Sequence, residues 1–448
     1  MFDFCVDEYE LEAWETLVHV CRRWRNVVFG SPRRLNLRLV CTSSTPAREL
    51  LDIWPALPLV IRCYGNSPVG RVDNIVAALE HRNRVCQIVL YSVPTSLLEK
   101  VLAVIQEPFP YLTRLWLTSD EKAVEVLPSS FLGGSSPRLR DLEFRGIPFP
   151  RLPNLLLSAT HLVYLTLFDT PHSGYISPEA MITALSMLTS LESLLLKFRS
   201  PRSRPDEASR HPPPLTRFIL PVLTFFSFKG ASEYLDDLLS HIDAPRLDSL
   251  YITLFNQITF DTPQFSQFIS RTPTLKALEK ADVFFDYGAA RITLSSRTSP
   301  FGPGGIGIKI TCRELDWQVS SLEQVCTSCL PSLSTLEVLY IYGDPKWKPD
   351  GQDNIENTLW LELLQPFTAV KNLYISKEFS RRIVPALQGF VGGTATEVLP
   401  TLQNIFLEEL QTSGPVQEGI RQFIATRQAS HYIVISLCQW DRGKAESR

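Results

Sequence analysis

At 448 residues the chain is long enough for two or three globular domains, and 44 basic against 47 acidic side chains leave a formal net charge of −3. That balance gives no bulk electrostatic case for nucleic acid or an acidic membrane surface. Nine cysteines without framework spacing, and the lack of any Asn-x-Ser/Thr sequon, predict a reducing, intracellular setting. The apolar runs fall short of the roughly 18 residues a membrane helix needs, and the acidic start Met1-Phe-Asp-Phe-Cys-Val-Asp-Glu8 lacks signal-peptide features.

In chain order, residues 10–29 come first. Leu17, Val20, Cys21, Trp24, Val27 and Val28 fall at helical spacing, with Arg22, Arg23, Arg25 and Asn26 opposite and Gly30-Ser31-Pro32 as the stop. Periodicity alone reads this as a helix capping the end of a stack. Leu35–Leu39 predicts a first strand and Leu57–Arg62 a second.

A pattern then recurs: apolar, two variable residues, apolar, one variable residue, apolar. It occupies Val85, Ile88, Leu90; Leu112, Leu115, Leu117; Leu139, Leu142, Phe144; and Leu162, Leu165, Leu167. It continues at Leu191, Leu194, Leu196; at Leu223, Phe226, Phe228; and at Leu247, Leu250, Ile252. A degraded copy is read at Leu275 and Leu278, with Lys280 in the third position. The pattern returns at Leu336, Leu339, Ile341; at Val370, Leu373, Ile375; and at Leu402, Ile405, Leu407. This spacing is that of leucine-rich repeats, each unit one short strand and a returning segment. No unit buries its own apolar face, so the units must stack. The expected fold class is an α/β leucine-rich-repeat solenoid over residues 37–440, with a helical segment at 1–36 and a polar tail at 441–448.

The returning segments read as helices. Val72, Ile75, Val76 and Leu79 have helical spacing, and Ser96-Leu-Leu-Glu99 reads as a capping box before Val101, Leu102 and Ile105. Ser177-Pro178 supplies a cap and a first-turn proline, Ser232 a cap before Leu235, Leu238, Leu239 and Ile242, and Thr262-Pro263 a start before Phe265, Phe268 and Ile269. Two insertions, near 198–214 and 295–307, read as loops, the second giving way to a strand at Ile308–Ile310.

With the repeats in view, Leu17-Val-His-Val-Cys-Arg-Arg-Trp-Arg25 followed by Ser31-Pro-Arg-Arg-Leu35 resembles the second half of an F-box. The whole chain is similar to fungal F-box proteins with leucine-rich repeats. That resemblance implies a substrate-recognition subunit of a cullin-based ubiquitin ligase, docking a Skp-type adaptor through Leu17, Val20, Cys21, Trp24, Pro32 and Leu35. The alternative is a repeat scaffold for protein–protein interaction without any ubiquitin role, its amino-terminal helix a cap.

Chemistry-bearing motifs are thin. Gly302-Pro-Gly-Gly305 lacks the Gly-Lys-Ser/Thr ending of a phosphate loop. Cys326-Thr-Ser-Cys329 has metal spacing without a second ligand pair, and its segment reads as a core stripe. No catalytic triad is suggested, so no enzyme, cofactor or metal is expected. The informative residues lie between the core positions, where side chains face the other side of each strand. They are Tyr91, Trp116, Tyr164, Phe168, Phe225, Tyr251, Tyr340, Tyr342, Tyr374 and Phe406, with the charges Arg114, Asp141, Glu143, Arg145, Lys197, Lys229 and Glu408 among them. Aromatic and arginine side chains anchor protein interfaces. These aromatics, with Arg114 and Arg145, form the expected concave site for an unidentified protein substrate. The competing reading is that the rings pack on one another along the ladder.

Overall fold

The computed structural model describes residues 19–30, 38–54, 56–65, 72–119, 126–200, 217–255, 260, 262–276, 278–295, 304–330, 333–344, 357–388, 398–408, 418–423 and 434–437. The chain divides into two compact units, Met1–Ser203 and Arg204–Arg448, each taken here by itself.

The first unit holds helix α1 (Arg22–Gly30) and strands β1 (Leu39–Cys41), β2 (Leu59–Tyr64), β3 (Val85–Tyr91), β4 (Arg114–Thr118), β5 (Asp141–Arg145), β6 (Tyr164–Thr170) and β7 (Ser193–Phe198). Between them run helices α2 (Ala47–Leu50), α3 (Val72–Glu80), α4 (Thr95–Val104), α5 (Leu152–Leu156) and α6 (Pro178–Leu185). All the strands pair in parallel, each with its sequence neighbour. The register sets equivalent repeat positions abreast: Leu115 beside Leu142, Leu142 beside Leu165, Leu165 beside Leu194. A parallel pair needs a crossover, and the helices supply it except between β4 and β5, where the described crossover holds a 3-10 turn at Phe131–Gly134. Every one of these leucines is fully buried.

The second unit has β9 (Phe225–Gly230), β11 (Ser249–Leu254), β12 (Lys280–Phe285), β13 (Ala289–Ser295), β14 (Gly305–Thr311), β15 (Val338–Gly343), β16 (Asn372–Ile375), β17 (Asn404–Leu407) and β18 (Val434–Leu437), plus a two-stranded pair β8 (Phe218–Ile219) and β10 (Ile242–Asp243). Its helices are α7 (Ser232–Ser240), α8 (Pro263–Arg271), α9 (Leu315–Ser328), α10 (Asn357–Leu364) and α11 (Lys377–Gln388). All ten repeat strands expected from the pattern lie within β3–β7, β9, β11 and β15–β17.

The ladder here is interrupted. β11 pairs in parallel with β14, not β12, and β12 pairs in parallel with β15. Between them β13 runs antiparallel to both β12 and β14. The described ends of the region expected as a loop at 295–307 are sheet, and the expectation for its middle lies outside the described residues. Ser295 closes β13, Gly305 and Gly307 lie within β14, and residues 296–303 are outside the described set. Residues 289–295 and 305–311 alternate apolar and polar residues, or glycine, as strands with one buried face do. In the other expected insertion, Phe198 ends β7 as a buried residue, and residues 201–216 lie outside the described set, as do residues 441–448.

Several local expectations change. The degraded repeat registers three residues later than its spelling suggests. Ala281 stands beside Leu339 and Val283 beside Ile341, so the triplet is Leu278, Ala281, Val283. Lys280 is a between-core residue, not a lost core position. The second strand begins at Leu59, and Leu39 is the first described residue of β1. Helix α4 starts at Thr95 behind Pro94, which leaves Ser96 inside the first turn without a capping role. Ala231 holds the cap position of α7, and Ser232 is buried as its first helical residue. Thr262 caps α8 in position only: its hydroxyl lies 3.0 Å from the Cys329 sulfur, while the Phe265 amide donates to Asp236 Oδ1 at 2.9 Å. Ser177 does cap α6, accepting from the Ala180 amide at 3.3 Å.

Burial separates two mutational classes. Leu142→Ala or Leu165→Ala removes a fully buried side chain from the ladder and should destabilise by about 2–5 kcal/mol in chemical denaturation. Tyr164→Ala, a few ångströms away in backbone but 46% exposed, should shift stability by less than about 0.5 kcal/mol.

Candidate partner-binding face

Strand alternation gives each sheet a buried face and an opposite, open face. The sequence-predicted interface residues described here all stand on the open face, since their flanking neighbours are the buried leucines, isoleucines and phenylalanines. Register then assembles them into rows.

In the first unit one row crosses Gln87, Arg114, Asp141 and Tyr164, and the next crosses Val89, Trp116, Glu143 and Thr166. Asp141 organises both. It accepts from Arg114 Nε at 2.8 Å and from Trp116 Nε1 at 2.9 Å, and the Arg114 guanidinium lies 4.9 Å from the Trp116 ring centre. A charged acceptor strengthens both bonds. Trp116 is thus a half-buried, oriented ring. Arg145 stands beside Phe168 in register and lies 4.4 Å from its ring centre, with Lys197 at 5.2 Å from the same ring. The Arg145 Nε is buried without a hydrogen-bond partner, and its guanidinium meets Glu143 at 3.9 Å. Burial pushes the Glu143 carboxyl up, an effect opposed by Arg145 and reinforced by Asp141. Tyr91 and Tyr164 are exposed, at 43% and 46%. Tyr64, which sequence reasoning passed over, is exposed beside Tyr91. Its signal is its place at the end of β2, two residues beyond the strand predicted over Leu57–Arg62.

In the second unit the aromatic residues do pack on one another. Tyr340 stacks on Tyr374 with centroids 4.2 Å apart and planes 11° from parallel, and Tyr374 stacks on Phe406 at 4.2 Å and 8°. Register places them abreast on β15, β16 and β17. Lys280 Nζ sits 4.4 Å from the Tyr340 ring centre and 3.0 Å from Asp282. Burial raises the Asp282 carboxyl, with Lys280 and Arg291 pulling the other way. Tyr342 meets Phe284 edge-on at 5.3 Å. Tyr251 meets Phe225 at 5.8 Å and lies over Gly307, where an added Cβ would come within 2.7 Å of the tyrosine ring. Glycine is required there by the close approach. Asn372 and Asn404 pair side chain to side chain at 2.7 Å in the adjoining row. Glu408 follows β17, half-buried.

At the amino end, Val20 is 57% and Val27 41% exposed, Cys21 is exposed and Trp24 half-buried. Leu17, Pro32 and Leu35 lie outside the described residues. Cys326 and Cys329 are buried along α9 and at its end, and burial pushes both thiols up, Cys329 to about 11. Among the described residues no His, Cys, Asp and Glu cluster has metal-binding geometry, and no helix is long and apolar enough to cross a membrane.

No family model matches the chain, and no curated protein matches it. Among solved structures it is similar to the leucine-rich repeat-containing protein LegL7 from Legionella pneumophila, at 13% identity, covering 81% of this chain and 97% of that one, with a TM-score of 0.30. At that score the likeness carries no weight, and the fold rests on the chain's own strand ladder.

Two outcomes follow from this geometry. Tyr374 is in stacking contact on both faces, each pair contributing about 0.5–1.5 kcal/mol, so Tyr374→Ala should lower the melting temperature where Tyr164→Ala leaves it unchanged. In thiol alkylation of the folded chain, Cys21 should react readily, whereas Cys41, Cys326 and Cys329, all buried with raised thiols, should label only on unfolding.

Proposed function

We propose that this chain is a non-catalytic recognition subunit of a cullin-based ubiquitin ligase, binding a Skp-type adaptor through the amino-terminal helix and a protein substrate through the open faces of its repeat sheets. The observation that supports it is the helix surface. A cap on the stack would bury its apolar residues, but Val20 and Val27 are 57% and 41% exposed beside a half-buried Trp24. Among the described residues, an apolar stripe left exposed on a segment that resembles half an F-box is what adaptor docking requires. Tryptophan is the residue type most often found at the centre of such contacts.

The open faces support the second half of the reading. Asp141 holds Arg114 and Trp116 in fixed orientation, so less side-chain freedom is lost when a partner lands. In the same unit Tyr91 and Tyr164 project exposed rings, Tyr164 in register beside Asp141.

The test is a binding measurement with a purified Skp-type adaptor. The full chain should retain it, and Trp24→Ala should weaken the complex by about tenfold or more, a hot-spot loss, with the melting temperature unchanged. Absence of any complex with the unmutated chain would refute the ubiquitin-ligase assignment. It would leave the repeat scaffold as the surviving reading.

A further inference from the structure

The strands inserted into the second unit's ladder carry an electrostatic arrangement that sheet stability alone does not favour. Arg291 on β13 and Lys309 on β14 are direct partners across an antiparallel pair. Directly opposed residues share a face, and like charges so placed destabilise a sheet. Both lie on the open face, half-buried. The row they belong to runs Lys229, Thr253, Lys309, Arg291, Phe284, Tyr342 across β9, β11, β14, β13, β12 and β15.

Among the described residues, the counter-charges set against this row are already engaged. Asp286 meets Lys309 at 3.9 Å, the outer limit of an ion pair. Asp282, one row over, is held by Lys280 at 3.0 Å. The cations rest on rings instead: Arg291 lies 5.0 Å from the Phe284 centre and Lys229 5.7 Å from that of Phe255. Those contacts keep the charged groups at the surface while covering the aromatic faces, which leaves no stacking platform for bases on Phe284. Tyr251 stands in the neighbouring row with 40% of its surface exposed.

We propose that this row docks an Asp/Glu-rich segment of a partner polypeptide, laid across β9, β11, β14 and β13. Its carboxylates meet Lys229, Lys309 and Arg291, and its apolar side chains lie against Tyr251 and Tyr342. Strand spacing puts Lys229 about 10 Å from Lys309, the span of about three extended residues. The carboxylates add an anion between two opposed cations, where Asp286 reaches Lys309 only at 3.9 Å and Asp282 is shared between Lys280 and Arg291. This assignment rests on the reading of the open face as a partner surface.

The probe is a fluorescein-labelled ten-residue peptide of alternating Glu and Asp, titrated against the full chain by anisotropy at low salt, beside its Gln/Asn counterpart and a labelled decathymidylate. Saturable binding of the acidic peptide alone is expected, weakening as salt is raised. Arg291→Gln with Lys309→Gln should reduce that affinity at least tenfold. The same double variant removes a like-charge pair, so its melting temperature should hold or rise. Unchanged peptide affinity in the variant, tighter binding of decathymidylate, or a melting temperature that falls along with affinity would each overturn the assignment. If the acidic peptide fails while the adaptor complex forms, the row assignment falls alone and the recognition-subunit reading stands.

Discussion

In-register parallel pairing is the constraint on which the rest of the structure depends. Setting Leu115, Leu142, Leu165 and Leu194 abreast makes one continuous buried stripe from residues that no single repeat could hide. The same registration acts on the residues between them. Because side chains alternate, every alignment of core leucines also aligns the intervening positions into rows on the other face. Arg114 meets Asp141, Arg145 meets Phe168, and Tyr374 meets Phe406 for the same reason that the leucines meet. The open face is thus a product of core packing, and its side-chain neighbours are set by repeat phase.

Phase alone does not decide what those neighbours do. In the first unit the rows mix charge with aromatic residues, and the result is hydrogen bonding around one carboxylate, Asp141. In the second unit three consecutive repeats place a ring at the same position, and the rings stack on one another, with Tyr374 covered on both faces. The distinction matters for recognition. A ring held by a hydrogen bond at its edge still offers a face, whereas a stacked ring offers only its rim.

The strands and their buried positions were legible in the sequence because a leucine triplet carries both a spacing and a period, and chance satisfies both only rarely. What misled was locally weaker. At residues 275–283 the second and third core positions are Ala281 and Val283, small enough that Leu275 and Leu278 outweigh them in a pattern of leucines, and the register slipped by three. Glycine-rich residues 302–307 read as loop because composition was weighed above alternation, yet Gly305 and Gly307 are in a strand that demands them. Gly305 has φ of +138°, and a Cβ there would lie 2.2 Å from the Leu294 carbonyl oxygen. At α8 the cap position is Thr262 as the sequence predicts, but its hydrogen bond is not, since Asp236 takes the Phe265 amide. The open-face residues were legible by alternation, but their pairings were not, since those depend on which strands become neighbours.

The rerouted strands also carry a kinetic consequence. Ordinary repeats pair strands that lie close in sequence: Leu142 meets Leu165. Pairing β11 with β14 joins Ser249 to Gly305, and pairing β12 with β15 joins Lys280 to Val338, each spanning about two and a half times that separation. Each doubling of the closed loop adds about 0.6 kcal/mol of chain entropy before any contact is gained, and contacts distant in sequence slow folding. The antiparallel β12–β13 pair, by contrast, is joined by the short turn at residues 286–288. Within the second unit this hairpin closes the shorter loop and carries the smaller chain-entropy cost. Seating it between β14 and β15 closes the longer loops, so the larger chain-entropy cost falls there.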